Sequence, residues 1–237
     1  MTPWTLIERS ETPDGTRLEL MRRGEQFSIR ANGELLMNSR VHGSEEALAE
    51  LALGALPAAA RARARVLVGG LGCGYTLAAA LAQVGAEATI SVAEISDAVV
   101  RWNRGPLAEL CGKPLEDARV EVLETDICAL FRAKNRRFDT ILLDVDNGPR
   151  AVARASNGWL YTAQGLAAIR ATLAPGGVLA IWSAGPELGF SDRLREEGFS
   201  VVLQRTPARA GRTRQRHWIW LGRSPLDACH TNVTRAP

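Results

Sequence analysis

Apolar and polar residues alternate with a period of two over the first forty residues of the chain. Short runs at 4–7, 17–21, 27–30 and 35–38 are separated by turn signals at Pro13-Asp14-Gly15, Arg23-Gly24 and Asn32-Gly33. Successive strand side chains point to opposite faces, and an Asn-Gly pair between two such runs favours a tight hairpin turn. The pattern predicts a small antiparallel β unit over residues 1–43. Ser44 then offers an N-cap, with Glu45 and Glu46 in the first turn, where the helix dipole favours anions. The stretch at 47–56 reads as a helix stopping before Pro57, and the Ala- and Arg-rich residues that follow read as a connector, so 44–64 is helix and linker.

From Arg65 onward the rhythm becomes strand–helix alternation. Short apolar runs at 66–68, 88–93, 120–123, 140–143 and 177–182 read as strands. Helical stretches fall at 76–84, 97–110, 164–173 and 191–197. Two final strands, 200–204 and 217–221, have no helix-forming segment between them and should pair as a hairpin. Such alternation predicts an α/β domain over 65–225, with a seven-stranded, mostly parallel sheet covered by helices on both faces. The closing hairpin makes one strand antiparallel. Residues 226–237 read as a tail.

Composition narrows the class rather than changing it. Of 237 residues, 46% are hydrophobic and 23% charged, values of an ordinary globular protein. The formal net charge of +3 excludes a polycationic binder. Lys113 and Lys134 are the only lysines among 29 basic residues, so arginine dominates, and six arginines fall between Phe199 and Leu226, where no acid occurs. Five of the six lie in the 205–216 connection, which reads as a solvated loop and as the one candidate nucleic-acid contact. No apolar run approaches the length of a membrane span, and the start lacks a signal-peptide pattern, so a cytoplasmic protein without membrane association is expected. The cysteines (Cys73, Cys111, Cys128 and Cys229) lie far apart with no CxxC pair and no histidine at ligand spacing, which argues against a metal site. Cys73 reads as packing and His217 as a sheet-edge histidine, while His42 and His230 have no visible partners.

The candidate chemistry sits where predicted strands end. Val66-Leu67-Val68-Gly69-Gly70-Leu71-Gly72-Cys73-Gly74 runs from strand to helix, and Gly70, Gly72 and Gly74 would let the backbone turn tightly and approach a nucleotide. Glu94 ends the next strand, 20 residues after Gly74, at the spacing where a carboxylate takes the hydroxyls of a ribose. Asp126 follows the third strand, and Asp144-Val145-Asp146-Asn147-Gly148-Pro149 the fourth. Acids gathered at one sheet edge repel one another unless a ligand or cation relieves them.

In that order, a glycine loop, two strand-end acids and an Asp-x-x-x-x-Pro segment, the chain resembles the S-adenosylmethionine-dependent methyltransferase fold. Within that fold it is most similar to the spermidine synthase family of polyamine aminopropyltransferases. The β-rich N-terminal unit supports the narrower match, as do the phrase from Val92 to Val100, Trp159-Leu160-Tyr161-Thr162 and Leu173-Ala174-Pro175-Gly176-Gly177. The resemblance implies a Rossmann-like sheet and a cofactor that is S-adenosylmethionine or its decarboxylated form, giving S-adenosylhomocysteine or methylthioadenosine. It implies that Gly70, Gly72 and Gly74 cradle the nucleoside, that Glu94 and Ile95 take the ribose, and that Asp126 with Ile127 takes the adenine. Asp144 matches the catalytic acid, beside the cofactor, that accepts the proton of an attacking amine. Asp146, Tyr161, Trp159 and Glu46 would meet the small-molecule acceptor, with no metal, and a homodimer is expected.

The chain also departs from that family. Where the synthases carry Gly-Gly-Gly-Asp-Gly-Gly, it has Gly-Gly-Leu-Gly-Cys-Gly, with Gly72 at the place of the acid. A Tyr-His-Glu motif is replaced by Ser44-Glu45-Glu46, and Asp-Ser-Ser-Asp-Pro by Asp-Val-Asp-Asn-Gly-Pro. Two alternatives therefore stand beside aminopropyl transfer: a methyltransferase of unknown acceptor, and a degenerate, non-catalytic member of the family.

Overall fold

The computed structural model describes residues 2–145, 148, 149, 155–209 and 212–226. The N-terminal alternation folds as expected into a four-stranded antiparallel sheet: β1 (Thr5–Glu11), β2 (Arg17–Arg23), β3 (Gln26–Ala31) and β4 (Glu34–Asn38), paired in sequence order. Asn32 and Gly33 both take positive φ at the β3–β4 turn, as a tight hairpin of this sequence requires. Helix α1 (Gly43–Gly54) leads through the short α2 (Ala58–Arg61) to the second sheet.

That sheet has seven strands: β5 (Arg65–Gly69), β6 (Thr89–Glu94), β7 (Val120–Glu124), β8 (Phe138–Leu143), β9 (Leu173–Ser183), β10 (Ser200–Arg209) and β11 (Arg212–Arg223). Their spatial order is β10-β11-β9-β8-β5-β6-β7. Strands β9, β8, β5, β6 and β7 pair in parallel, and β11 is antiparallel to both of its neighbours. The chain moves outward from β5 through β6 to β7, then crosses back to place β8 on the other side of β5. This crossover opens a crevice at the carboxyl ends of β5 and β8, the place where open α/β sheets bind ligands.

Helices α3 (Tyr75–Gln83), α4 (Asp97–Arg104), α5 (Ile127–Ala133), α6 (Ala163–Ala171) and α7 (Phe190–Glu196) complete the layers. The sequence reading had no helix at 127–133; with under two turns, α5 shows no 3.6-residue stripe, and its start is marked only by Asp126, whose Oδ1 accepts from the Cys128 N–H at 2.9 Å. Helix α4 ends at Arg104 rather than near 110, because Gly105 breaks it before a 3-10 turn at Ala108–Cys111.

Two apolar clusters flank the large sheet. One joins Val66, Val68, Ile90 and Val92 to Leu18, Leu20, Phe27 and Ile29 of the N-terminal sheet, so the two sheets share a core. The other gathers Leu67, Ile141, Leu143 and Leu179 under α5, α6 and α7. Polar contacts fix the small sheet in place: Glu8 accepts from Arg101 at 2.8 Å and from the fully buried Trp102 indole at 2.9 Å, and the Tyr75 hydroxyl donates to the Ser39 carbonyl at 3.2 Å.

The arginine-rich connection differs from its reading as a loop. Strands β10 and β11 run through it as a paired ribbon, in register from Ser200↔Arg223 to Arg209↔Arg212, with an irregularity after Pro207. Arg205 and Arg216 therefore stand on strands, and the Arg205 guanidinium lies over the Trp218 ring at 5.5 Å. The side chains of Arg209, Arg212 and Arg214 lie outside the described residues.

Candidate active site

Strand ends create the floor of the site. The Asp144 N–H donates to the Gly69 carbonyl and the Gly70 N–H to the Ala93 carbonyl, both at 2.9 Å, tying together the ends of β5, β8 and β6. Gly70 has φ +87°, and a Cβ there would collide with the Asp144 carbonyl oxygen. Gly72, at φ +52°, lies against the Met37 thioether of β4, which a Cβ would also strike. Backbone can approach backbone here only without side chains. The Asn103 amide holds the loop by donating to the Gly72 carbonyl at 2.8 Å. Gly70 and Gly72 line the cavity above this floor, whereas Gly74 lies outside it, N-terminal to α3, packed toward Asn103 and Cys111.

Glu94 ends β6 and is nearly buried. Its Oε2 accepts from the Leu71 N–H at 3.0 Å and its Oε1 from the Ser96 N–H at 2.9 Å, so the glycine loop and the entry to α4 orient one carboxylate between them. Ile95 lines the cavity beside it. Asp126 takes a different place from the one expected: it caps α5, and its neighbours Thr125 and Ile127 line the cavity instead.

Asp144 follows β8 and faces the same space, its Oδ2 accepting from the Thr76 hydroxyl at 2.6 Å. Opposite it stands Glu45, 6% exposed, whose Oε2 accepts from the Ser44 hydroxyl at 2.6 Å. Burial raises both carboxyls above their ordinary range. The charge of Asp144 raises Glu45 further, while the Thr76 hydrogen bond draws Asp144 partly back. Two neighbouring carboxyls of this kind titrate as a pair and hold a proton at a pH where exposed acids have lost theirs.

Glu45 was not among the residues read as functional; Glu46 was. Glu45 lines this cavity and Glu46 does not. Helix α1 starts at Gly43 with His42 as its cap residue, and adjacent residues point about 100° apart, so Glu45 turns inward and Glu46 outward. Glu46 instead meets His42 Nδ1 at 2.9 Å in a separate groove, where His42 stacks on Tyr75 with ring centroids 4.1 Å apart. Ser44 makes no cap bond, because its hydroxyl faces the core.

Trp159 and Tyr161 also stand away from the cavity lining. Trp159 lies under the Arg132 guanidinium at 4.3 Å, and buried Tyr161 rests edge-on against Phe190 and donates to the Val145 carbonyl at 3.4 Å. Tyr161 thereby braces Val145 of the cavity wall. Asp146 lies outside the described residues. The roof comes from the N-terminal sheet: Leu18, Ile29, Ala31, Leu36 and Met37 line the cavity from above, with Trp182 of β9 at its side. No motif marks these roof residues; only the alternation of β2, β3 and β4 hints at an inward face.

No protein-family model and no curated protein sequence matches the chain. Solved structures do match. The spermidine synthase of Thermotoga maritima is 17% identical, with a TM-score of 0.73 over 94% of this chain and 74% of that one. A spermidine synthase in complex with the transition-state analogue AdoDATO is 19% identical, with a TM-score of 0.74 and the same coverage. Human methyltransferase-like protein 13 in complex with SAH is 18% identical, with a TM-score of 0.55 over 81% of this chain and 86% of that one. The chain has the spermidine synthase fold. The likeness takes in the N-terminal sheet as well as the methyltransferase-type sheet, in keeping with the resemblance read from the motifs.

Proposed function

We propose that the chain binds an S-adenosylmethionine-type nucleoside and transfers a group from it to an amine, the specific reaction being aminopropyl transfer with Asp144 as base. The observation that carries this reading is one cavity, at the crossover of the sheet, into which the glycine loop, the Glu94 strand end and Asp144 all open.

The residues present fit such a group. Gly70 and Gly72 line the cavity without side chains, and Glu94, oriented by two backbone N–H groups, brings to it a carboxylate of the kind that takes ribose hydroxyls. Thr125 and Ile127 offer a half-apolar edge for a flat base. When bound, the nucleoside supplies a sulfonium-activated carbon. An ammonium has no lone pair, so the acceptor must give up a proton, and a carboxyl whose proton affinity is raised by burial is suited to take it near neutral pH. Thr76 orients Asp144 for that role. Glu45 places a second acid near the loop position where Gly72 stands in place of the synthase family's acid.

Methyl transfer is the second reading, favoured by Gly72 itself: a loop without its acid suits a cofactor that keeps its own carboxylate. Titration calorimetry with S-adenosylmethionine, its decarboxylated form and methylthioadenosine separates the two. Preference for the decarboxylated form supports aminopropyl transfer, preference for the carboxylated form overturns it in favour of methyl transfer, and no binding overturns both. Asp144→Asn should abolish turnover with amine acceptors, whereas a non-catalytic member would keep its cellular role with that substitution. A cytoplasmic homodimer goes with this reading, and cell fractionation and light scattering of the purified chain would check it.

A further inference from the structure

Ser44 is fully buried, and its Oγ lies 2.6 Å from Glu45 Oε2 and 2.7 Å from Nδ1 of His217. His217 is not at a sheet edge. It lies on β11, between β9 and β10, buried with its ring edge-on to Trp182 at 4.7 Å. A hydroxyl has one hydrogen to give. If Ser44 donates to Glu45, Nδ1 must carry a hydrogen and donate to Oγ. If Ser44 donates to Nδ1, Glu45 must carry its proton on Oε2 and donate to Oγ.

We propose that Ser44 and His217 form a buried proton relay that loads and unloads Glu45 and so sets the charge facing Asp144 in the cavity. In one passage the Oε2–H proton moves to Oγ while the Oγ hydrogen moves to Nδ1. One proton leaves Glu45, one arrives on His217, the serine is unchanged, and the imidazolium returns to neutral by losing its Nε2 proton to solvent water. The relay joins the cavity to β11, so Glu45 need not release its proton through the substrate. That catalytic use rests on the group-transfer reading; the relay itself needs no ligand.

Among the described residues, few titratable groups surround Glu45. Besides His217 and Asp144, the titratable groups around Glu45 are Glu46 on its own helix and Cys73 and Tyr75 at the entry to α3, and burial raises both of the latter away from neutral pH. Strand β9 contributes Trp182 and β10 contributes Thr206 opposite His217, neither of which titrates. Burial keeps His217 largely neutral.

The chain has three histidines, so ¹⁵N-labelled imidazoles give a simple spectrum. From roughly pH 5 to 9, Nδ1 of His217 should pass from unprotonated to protonated as the Glu45 carboxyl, followed by ¹³C, ionises over the same window. Ser44→Ala should uncouple the two and shift the Glu45 midpoint by about half a unit or more. His217→Gln should shift it too, and serves if the serine variant does not fold. A His217 tautomer that stays constant across the range, or a Glu45 midpoint unmoved in the folded variants, overturns the relay. Loss of nucleoside binding in calorimetry would overturn the proposed function while leaving these signals in place.

Discussion

Replacing Glu45 with glutamine should stabilise the protein, and increasingly so as pH rises. Glu45 is 6% exposed, burial is the largest cause of its raised pKa, and the charge of Asp144 is the second. In the unfolded chain a glutamate loses its proton near pH 4.3, whereas the folded chain holds it to a higher pH. Between those two values the folded state binds more protons than the unfolded one, so stability falls as pH rises. One proton gives a slope of up to about 1.4 kcal/mol per pH unit, so a window of two units costs about 2.7 kcal/mol. Glutamine is neutral at every pH and keeps a donor for Ser44, so it removes this loss. At pH 4 the variant and the parent should melt alike; near pH 7 the variant should melt about 5–10 °C higher, taking roughly 2–4 °C per kcal/mol for a chain of this size. Thermal denaturation across pH, followed by circular dichroism, is the assay. A melting difference that does not change with pH, or that favours the parent at higher pH, would refute the buried, raised carboxyl.

The other predictions concern the loop, the ribose acid and the seat of the small sheet. Gly72→Ala should destabilise by roughly 1–3 kcal/mol, and Met37→Ala should recover part of it, because the obstacle is a flexible thioether. Gly70→Ala should cost at least as much with no such recovery, because the obstacle is the Asp144 backbone; chemical denaturation of both pairs checks this. Glu94→Gln should weaken methylthioadenosine binding in calorimetry by about tenfold or more, because the amide cannot accept from both the Leu71 and Ser96 N–H groups while facing a ribose. Glu8→Ala should cost about 1–3 kcal/mol in urea denaturation by leaving the Trp102 indole N–H buried without its acceptor.

Much of the fold could be read locally. A short apolar run followed by a helical stretch recurs from Arg65 onward, and each unit can bury its faces only by joining a layered sheet, so five parallel strands and a closing hairpin followed from periodicity alone. The arginine ribbon was harder to see. Thr206 and Ala208 are buried on one face of β10, but a threonine and an alanine make only a faint apolar stripe, so the alternation that marks a half-buried strand is weak while the pairing continues. His217 was misplaced for a different reason: β11, the last strand in sequence, inserts between β9 and β10, and no residue near His217 records that insertion.

The site divides along the same line. Gly70, Gly72, Glu94, Ile95, Ile127 and Asp144 were legible because each follows or ends a strand at the carboxyl edge, where chain order alone brings them together. Glu45 was not, because its role depends on the rotation of one helix. Had α1 begun one residue later, Glu46 would face Asp144 and Glu45 the solvent. That rotation is set by what α1 packs on: Ser44, Leu48, Ala52 and Leu53 form its buried side, and the side chain one position after Ser44 turns with them into the cavity. The acid that pairs with Asp144 is therefore chosen by the packing of an apolar helix face, and the relay through Ser44 to His217 exists because the same face brings that serine against β11.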